Sequence, residues 1–235
     1  MNQNISVIGA GTMGTGIAQV ASTYGCSVNL IDNVPEVLNR SKSNLQSILN
    51  RLVKKGKISK TDSVNVSSQI KWSNKIEDVL DSKLVIEAVI ENMEIKQKIF
   101  SDIESLVSNS CIIATNTSSL SISNISSTCS KLDRILGVHF FNPAPLMKLV
   151  EVIPIDTTDS KIVDNIISTL KTWNKIVVIA KDTPGFIVNR VARPFYGEAL
   201  RIYDEGVADF STIDWAMKNF GGFKMGPFEL MDYIG

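Results

Sequence analysis

The sequence predicts an α/β protein: a doubly wound, mostly parallel sheet covered by helices on both faces, followed by a smaller all-helical domain. Three observations predict it. Strand-like and helix-like runs alternate from Ile5 to Ala180, a GAGTMG turn sits between the first strand and the first helix, and beyond DTPGF (182–186) no strand-like run remains. Length and composition agree. At 235 residues the chain is long enough for one large or two unequal domains, and 44% hydrophobic with 20% charged residues excludes global disorder.

Each element follows from its local pattern. Ile5 to Ile8 is apolar and β-branched, Thr15 to Tyr24 is helical in composition, and Ser27 to Ile31 alternates back to apolar, which makes a βαβ unit. A helical excursion then spans 35–68. From Pro35 to about Lys57, Val37, Leu38, Leu45, Ile48, Leu49 and Leu52 recur at helical spacing among Arg40, Lys42, Arg51, Lys54 and Lys55, with Gly56 as the stop. LVIEAVI (84–90) reads as a buried strand, and Glu94 to Val107 as a helix with Ile95, Ile99, Ile103, Leu106 and Val107 as its apolar residues. CIIAT (111–115), ILGVHF (135–140) and KLVEVI (148–153) are further strands, Asp159 to Trp173 a helix and KIVVIA (175–180) a strand. Ile187 to Tyr203, Ser211 to Phe220 and Pro227 to Tyr233 show helical spacing, so the expected domains are residues 1–183 and 184–235.

Charge and cysteine usage exclude several functions. Lys+Arg 24 against Asp+Glu 24 leaves no whole-protein field to attract nucleic acid or an anionic membrane. Cys26, Cys111 and Cys129 are odd in number without CxxC spacing, which argues against a disulfide framework or a metal cluster. The amino terminus lacks a basic start and a long apolar stretch, so no membrane partner and a cytoplasmic location are expected.

The chemistry begins at Gly9, Gly11 and Gly14, which fit GxGxxG between a strand and a helix, with Asp32 closing the second strand. Gly9 permits the tight turn, Gly11 the approach of a pyrophosphate, and Gly14 close helix packing, while Asp32 can accept from a ribose 2'-hydroxyl. That is a Rossmann-like signature, with Thr12 and Met13 in the same cofactor-facing turn. A carboxylate at Asp32 repels a 2'-phosphate, so NAD is expected over NADP. The other reading is a ligand-free glycine turn.

His139, the single histidine, ends a strand where open α/β sheets place ligands, and its ordinary titration range suits it to accept an alcohol proton. Glu151 lies on the next strand, beyond a proline-containing turn that can bring the two together. A core histidine beside a surface carboxylate explains the same letters. Asn116, Ser118 and Ser119 of NTSS follow another strand, where hydroxyls can bind a substrate oxygen or simply cap the following turn. Glu91 fits a helix cap or a cofactor-facing group, Asn189 follows PGF, and Arg51, Lys54, Lys55 and Lys57 fit a phosphate grip or a solvated face.

Taken together, VIGAGTMGTGIAQVA, LVIEAVIENMEIK, ATNTSSLSIS, GVHFFNPAPLMKLVEVI, DTPGFIVNR and MGPFELMDYIG resemble, in order and over essentially the whole chain, the L-3-hydroxyacyl-CoA dehydrogenase family. Within it the chain is similar to the short-chain bacterial 3-hydroxybutyryl-CoA dehydrogenases. The resemblance implies NAD-dependent oxidation of an L-3-hydroxyacyl-CoA to the 3-ketoacyl-CoA in fatty-acid or butanoate metabolism. It implies His139 as general base and Glu151 as its orienting partner, with Ser118 and Asn189 holding the substrate's oxygens. Glu91, Lys96, Ser118 and Asn142 match positions around the nicotinamide half, and Ser47 and Lys55 lie where the family contacts CoA. It also implies a homodimer through the helical domain. The family's helical domain runs on beyond GPFELMDYIG, so exposed apolar helix faces are expected from Ile187 onward, with association through them or else disorder and aggregation. The alternatives are a related dehydrogenase of a polyol or carnitine, and a protein that binds NAD without turnover.

Overall fold

The computed structural model describes residues 3–234. β1 (Asn4–Ile8) buries every residue after its first. α1 (Thr12–Thr23) starts three residues before the compositional boundary at Thr15, because the glycine turn itself enters the helix with Gly11 as N-cap. β2 (Ser27–Ile31) lies parallel to β1. α2 (Pro35–Lys54) buries Leu38, Leu45 and Leu49, and the chain leaves it through Gly56 at φ +65°, a left-handed conformation that suits glycine.

Two elements carry little sequence signal. α3 (Lys60–Ser68) is set by a capping box, in which the Ser59 hydroxyl accepts from the Asp62 N–H and the Asp62 carboxylate accepts from the Ser59 N–H. β3 (Ile70–Ser73) is a short edge strand on β2.

β4 (Leu84–Glu87), α4 (Met93–Leu106), β5 (Ile112–Thr115), α5 (Ile122–Ile125) and β6 (Ile135–Phe140) follow. β7 (Leu149–Pro154), α6 (Ser160–Thr172) and β8 (Ile176–Ile179) complete the sheet, ordered β3-β2-β1-β4-β5-β6-β7-β8. Two expectations are corrected here. β4 ends at Glu87 rather than residue 90, since the Glu87 carboxylate accepts the Val89 N–H at 2.7 Å and turns the backbone out of the ladder. α4 buries Lys96, Phe100 and Ile103, whereas Ile95 is 40% exposed, so its inner face is rotated from the apolar count.

All ladders are parallel except β6 with β7. The short link 141–148 cannot hold the crossover that a parallel neighbour needs, so β7 must turn back. Strand order reverses between β1 and β4, which puts a ligand crevice outside their carboxyl ends. Beneath it lies a core that includes Ile5, Val7, Leu30, Ile86 and Val138.

Contacts within the chain gather into two units, Met1–Pro184 and Gly185–Gly235. The second unit is helical, with α7 (Val188–Asp204), α8 (Phe210–Asn219) and α9 (Pro227–Ile234). Phe210 stacks on Tyr203 with ring centroids 3.9 Å apart and packs on Phe228 at 4.5 Å. The buried Asp214 carboxylate accepts the N–H groups of Phe228 at 2.9 Å and Glu229 at 3.0 Å, fixing the start of α9. Val191, Val207, Phe220 and Tyr233 are exposed. Among the described residues no helix is long and apolar enough to cross a membrane.

Candidate active site

The glycine turn has three distinct physical requirements. Gly9 has φ +101°, and a Cβ there would lie 2.5 Å from the Ala88 carbonyl oxygen. A Cβ on Gly14 would lie 1.8 Å from the Gly9 oxygen, so the helix packs against the turn only without one. At Gly11 a Cβ would meet nothing within 4 Å, which leaves open space before the α1 N-terminus. Gly11 and Thr12 are exposed, Met13 is half-buried, and no side chain caps the helix. Exposed N–H groups and the helix dipole there suit a pyrophosphate. Asp32 is held facing this turn, as its Oδ2 accepts from the Ala10 N–H at 2.8 Å and its Oδ1 from the Val34 N–H at 3.0 Å. These residues fit a dinucleotide.

Across the β6–β7 ladder, His139 and Glu151 are register partners. His139 Nδ1 lies 2.7 Å from Glu151 Oε2, His139 is 6% exposed and Glu151 is fully buried. A carboxylate only accepts, so the shared proton belongs on Nδ1 and the lone pair on Nε2. Phe141 packs on the imidazole with ring centroids 4.5 Å apart. The turn between these strands is anchored from below, where the buried Lys175 ammonium donates to the carbonyls of Ala144 at 2.6 Å and Met147 at 2.8 Å. Burial lowers that amine's pKa. Asn142 is exposed at the start of the turn.

The NTSS turn is organised by the Glu91 carboxylate. Glu91 lies in the loop four residues beyond β4, not at the strand end. Its Oε1 accepts from the Thr117 hydroxyl, the Ser118 N–H at 2.9 Å, the Ser118 hydroxyl at 3.4 Å and the Ser119 hydroxyl at 3.3 Å. Thr117 Oγ1 in turn accepts the Leu120 N–H at 3.0 Å. Asn116 turns away from the hydroxyls, its Oδ1 accepting the Phe140 N–H at 2.9 Å beside His139. Lys96, read from sequence as facing the cofactor, is 1% exposed and lies 2.6 Å from Glu87 and 3.3 Å from Glu91. It therefore acts on this region through its two carboxylates.

Sequence reading missed Asp182, just past β8. Its carboxylate accepts from the Ser121 hydroxyl at 2.9 Å, the Ile122 and Ser123 N–H groups, both at 2.9 Å, and the Ser123 hydroxyl at 2.7 Å. Burial alone would raise the pKa of Asp182, yet these four hydrogen bonds outweigh it and hold the group low. Burial likewise opposes ionisation of Glu91, and the Thr117 hydroxyl, the Lys96 charge and the Ser118 N–H reverse it to a lowered value. Groups depressed on folding contribute stability above their unfolded range near about 4, and that stability is lost as pH falls through the folded values. Thermal midpoints are expected to fall below about pH 4, and less steeply in Asp182→Asn. Calorimetry across acid pH checks this, and parallel curves would remove Asp182 from the account.

The remaining expected site residues lie elsewhere. Ser47 and Lys55 are exposed on or just after α2, with the Ser47 hydroxyl donating to the Ser43 carbonyl at 3.0 Å. Asn189 belongs to the second unit, in the first turn of α7.

Two family profiles match the chain. The 3-hydroxyacyl-CoA dehydrogenase NAD binding domain matches residues 4–183, and the 3-hydroxyacyl-CoA dehydrogenase C-terminal domain matches residues 185–235. The chain is 41% identical over 239 residues to the mitochondrial hydroxyacyl-coenzyme A dehydrogenase of Rattus norvegicus, covering 99% of itself and 76% of that protein. It is 41% identical over 231 residues to a 3-hydroxybutyryl-CoA dehydrogenase of Clostridioides difficile, covering 98% and 82%. Among solved structures, the 3-hydroxybutyryl-CoA dehydrogenase of Escherichia coli K12 superposes with TM-score 0.97 at 40% identity, covering all of this chain and 50% of that one. The (S)-3-hydroxybutyryl-CoA dehydrogenase of Ralstonia eutropha gives 0.96 at 36%, covering 100% and 83%.

Proposed function

The chain belongs to the 3-hydroxyacyl-CoA dehydrogenase family of NAD-dependent oxidoreductases, and on that premise we propose that it oxidises L-3-hydroxybutyryl-CoA with His139 as the general base. The observation that carries this reading is the buried His139–Glu151 pair, 2.7 Å apart at the carboxyl-end side of β6. Nε2 takes the hydroxyl proton, and Glu151 stabilises the imidazolium that forms. NAD, when bound, supplies the hydride acceptor. The α1 N-terminus and Asp32 hold the dinucleotide, and the Ser118 hydroxyl, in the turn organised by Glu91, is the group that meets a substrate oxygen. The family resemblance assigns Asn189, in the first turn of α7, a polar contact with the substrate of its own.

The finer assignments form one picture. Residues 1–183 carry the cofactor and the base, and 184–235 form a helical domain whose exposed Val191, Val207, Phe220 and Tyr233 suit association of two copies. The exposed basic residues Arg51, Lys54, Lys55 and Lys57 suit the phosphates of CoA better than a polyol or carnitine. A cytoplasmic location accords with the free cysteines Cys26, Cys111 and Cys129, which fit a reducing compartment.

Consumption of NADH with acetoacetyl-CoA, beside acetoacetate and a titration with NADH alone, tests the reading. Turnover of the thioester only is expected. NADH binding without turnover of either would reduce the chain to a binding protein, and equal turnover of the free acid would remove CoA. Asp32→Ala is expected to weaken NADH binding by about 10- to 150-fold, since a charge-assisted hydrogen bond is worth roughly 1.5–3 kcal/mol. Unchanged NADH affinity, or equal affinity for NADPH in the unaltered chain, would take Asp32 out of the adenosine site.

A further inference from the structure

The general base and the glycine turn leave unused the cluster of Glu87, Lys96 and Thr115, buried side by side with exposures of 0%, 1% and 0%. Glu87 is the last residue of β4 and Thr115 the last of β5, and the two are register partners. Glu87 Oε1 accepts from Lys96 Nζ at 2.6 Å and from the Val89 N–H at 2.7 Å, while Oε2 accepts from the Thr115 hydroxyl at 2.7 Å. Thr115 Oγ1 then accepts the Thr117 N–H at 3.1 Å. The Glu87 backbone carbonyl takes the Asn116 N–H at 2.7 Å. From one buried carboxylate, two routes therefore reach the Ser118 turn, one through Thr115 to Thr117 and one through Lys96 to Glu91.

A buried ion pair is poor evidence for stability, because desolvation of both charges offsets much of their attraction. Its use is better sought in what it orients. Lys96 carries one positive charge between two carboxylates, and without Glu87 the ammonium would draw Glu91 inward, away from Thr117 and Ser118. Without the Thr115 hydroxyl, the Thr117 N–H loses its acceptor at the point where β5 becomes the turn.

Resting on the function proposed above, we propose that Glu87 is a positioning residue that sets the Ser118 turn for substrate through Lys96–Glu91 and through Thr115. It touches no substrate. Its action is on where the Ser118 hydroxyl sits, and a displacement of about 1 Å there can cost up to about 10²-fold in rate.

The test compares Glu87→Gln, Thr115→Val and Thr115→Ser with the unaltered chain by kinetics with acetoacetyl-CoA and NADH, by NADH titration, and by hydrogen exchange at the amides of Thr117, Ser118 and Leu120. Glu87→Gln and Thr115→Val are expected to lower kcat about tenfold or more and to speed exchange at those amides, with NADH affinity nearly kept and Thr115→Ser restoring both. Unchanged exchange in the turn, or faster exchange with full kcat, would overturn the proposal. Should Glu87→Gln fail to fold, the Thr115 pair carries the same decision. Should the unaltered chain turn over no thioester, the proposed function fails, and exchange in the turn still decides whether Glu87 holds it.

Discussion

His139→Gln is expected to lower kcat by about 10²- to 10⁴-fold while NADH binds as tightly as before. The chain holds one histidine, so no second imidazole can take over. His139 lies on β6, and its ring is seated by Phe141 and by Glu151 rather than by the glycine turn. Glutamine keeps a polar side chain there and loses the basic nitrogen. Glu151→Gln is expected to fall less far, since it keeps an acceptor for Nδ1–H and loses only the charge that stabilises the imidazolium. Stopped-flow NADH oxidation with acetoacetyl-CoA, beside a fluorescence titration of NADH, measures both. A His139→Gln chain with near-normal kcat would end the mechanism, and one that fails to bind NADH would show that the histidine holds the fold of the crevice instead.

Gly14→Ala and Gly11→Ala are both expected to weaken cofactor binding, for opposite reasons. At Gly14 the new methyl would stand 1.8 Å from the Gly9 carbonyl oxygen, with Val7 at 3.4 Å behind it. Backbone on backbone cannot yield cheaply, so α1 must move off the sheet. Overpacking of that kind costs about 1–3 kcal/mol and occasionally more, which corresponds to a fall in Tm of roughly 2–12 °C for a domain of this size. At Gly11 nothing lies within 4 Å and the backbone is extended at φ −69° and ψ −171°, so alanine fits the fold without strain. Its methyl instead occupies the space before the α1 N–H groups that a pyrophosphate requires. Tm is expected to be unchanged in Gly11→Ala and NADH affinity to drop about tenfold or more. Calorimetry and NADH titration on both variants decide this. A Gly11→Ala chain with normal affinity would place the dinucleotide elsewhere.

The sequence by itself determined the alternation of strands and helices, the βαβ opening with its glycine turn, and a proline-containing turn short enough to bring His139 to Glu151. Those features are local. Periodicity records which face of an element is apolar, glycine records where a Cβ cannot stand, and the short link 141–148 leaves β7 no choice but to reverse. The tertiary structure alone decided what depends on neighbours distant in sequence. Lys96 looks from its letter like a surface or ligand-facing cation, yet it shares a face with Phe100 and Ile103, and that spacing was the signal of its burial. Its counter-charges come from Glu87 at the end of β4 and Glu91 in the loop beyond, brought there by strand pairing. Asp182 was legible only as part of DTPGF, because its four donors lie about sixty residues earlier in the chain and meet it through the sheet. β3 escaped notice because a short edge strand owes its form to a paired neighbour, whereas α3, inside the helical excursion expected over 35–68, owes its start to a cap. Pattern specifies which residues seek a core, and only closure of the sheet specifies which buried charge meets which.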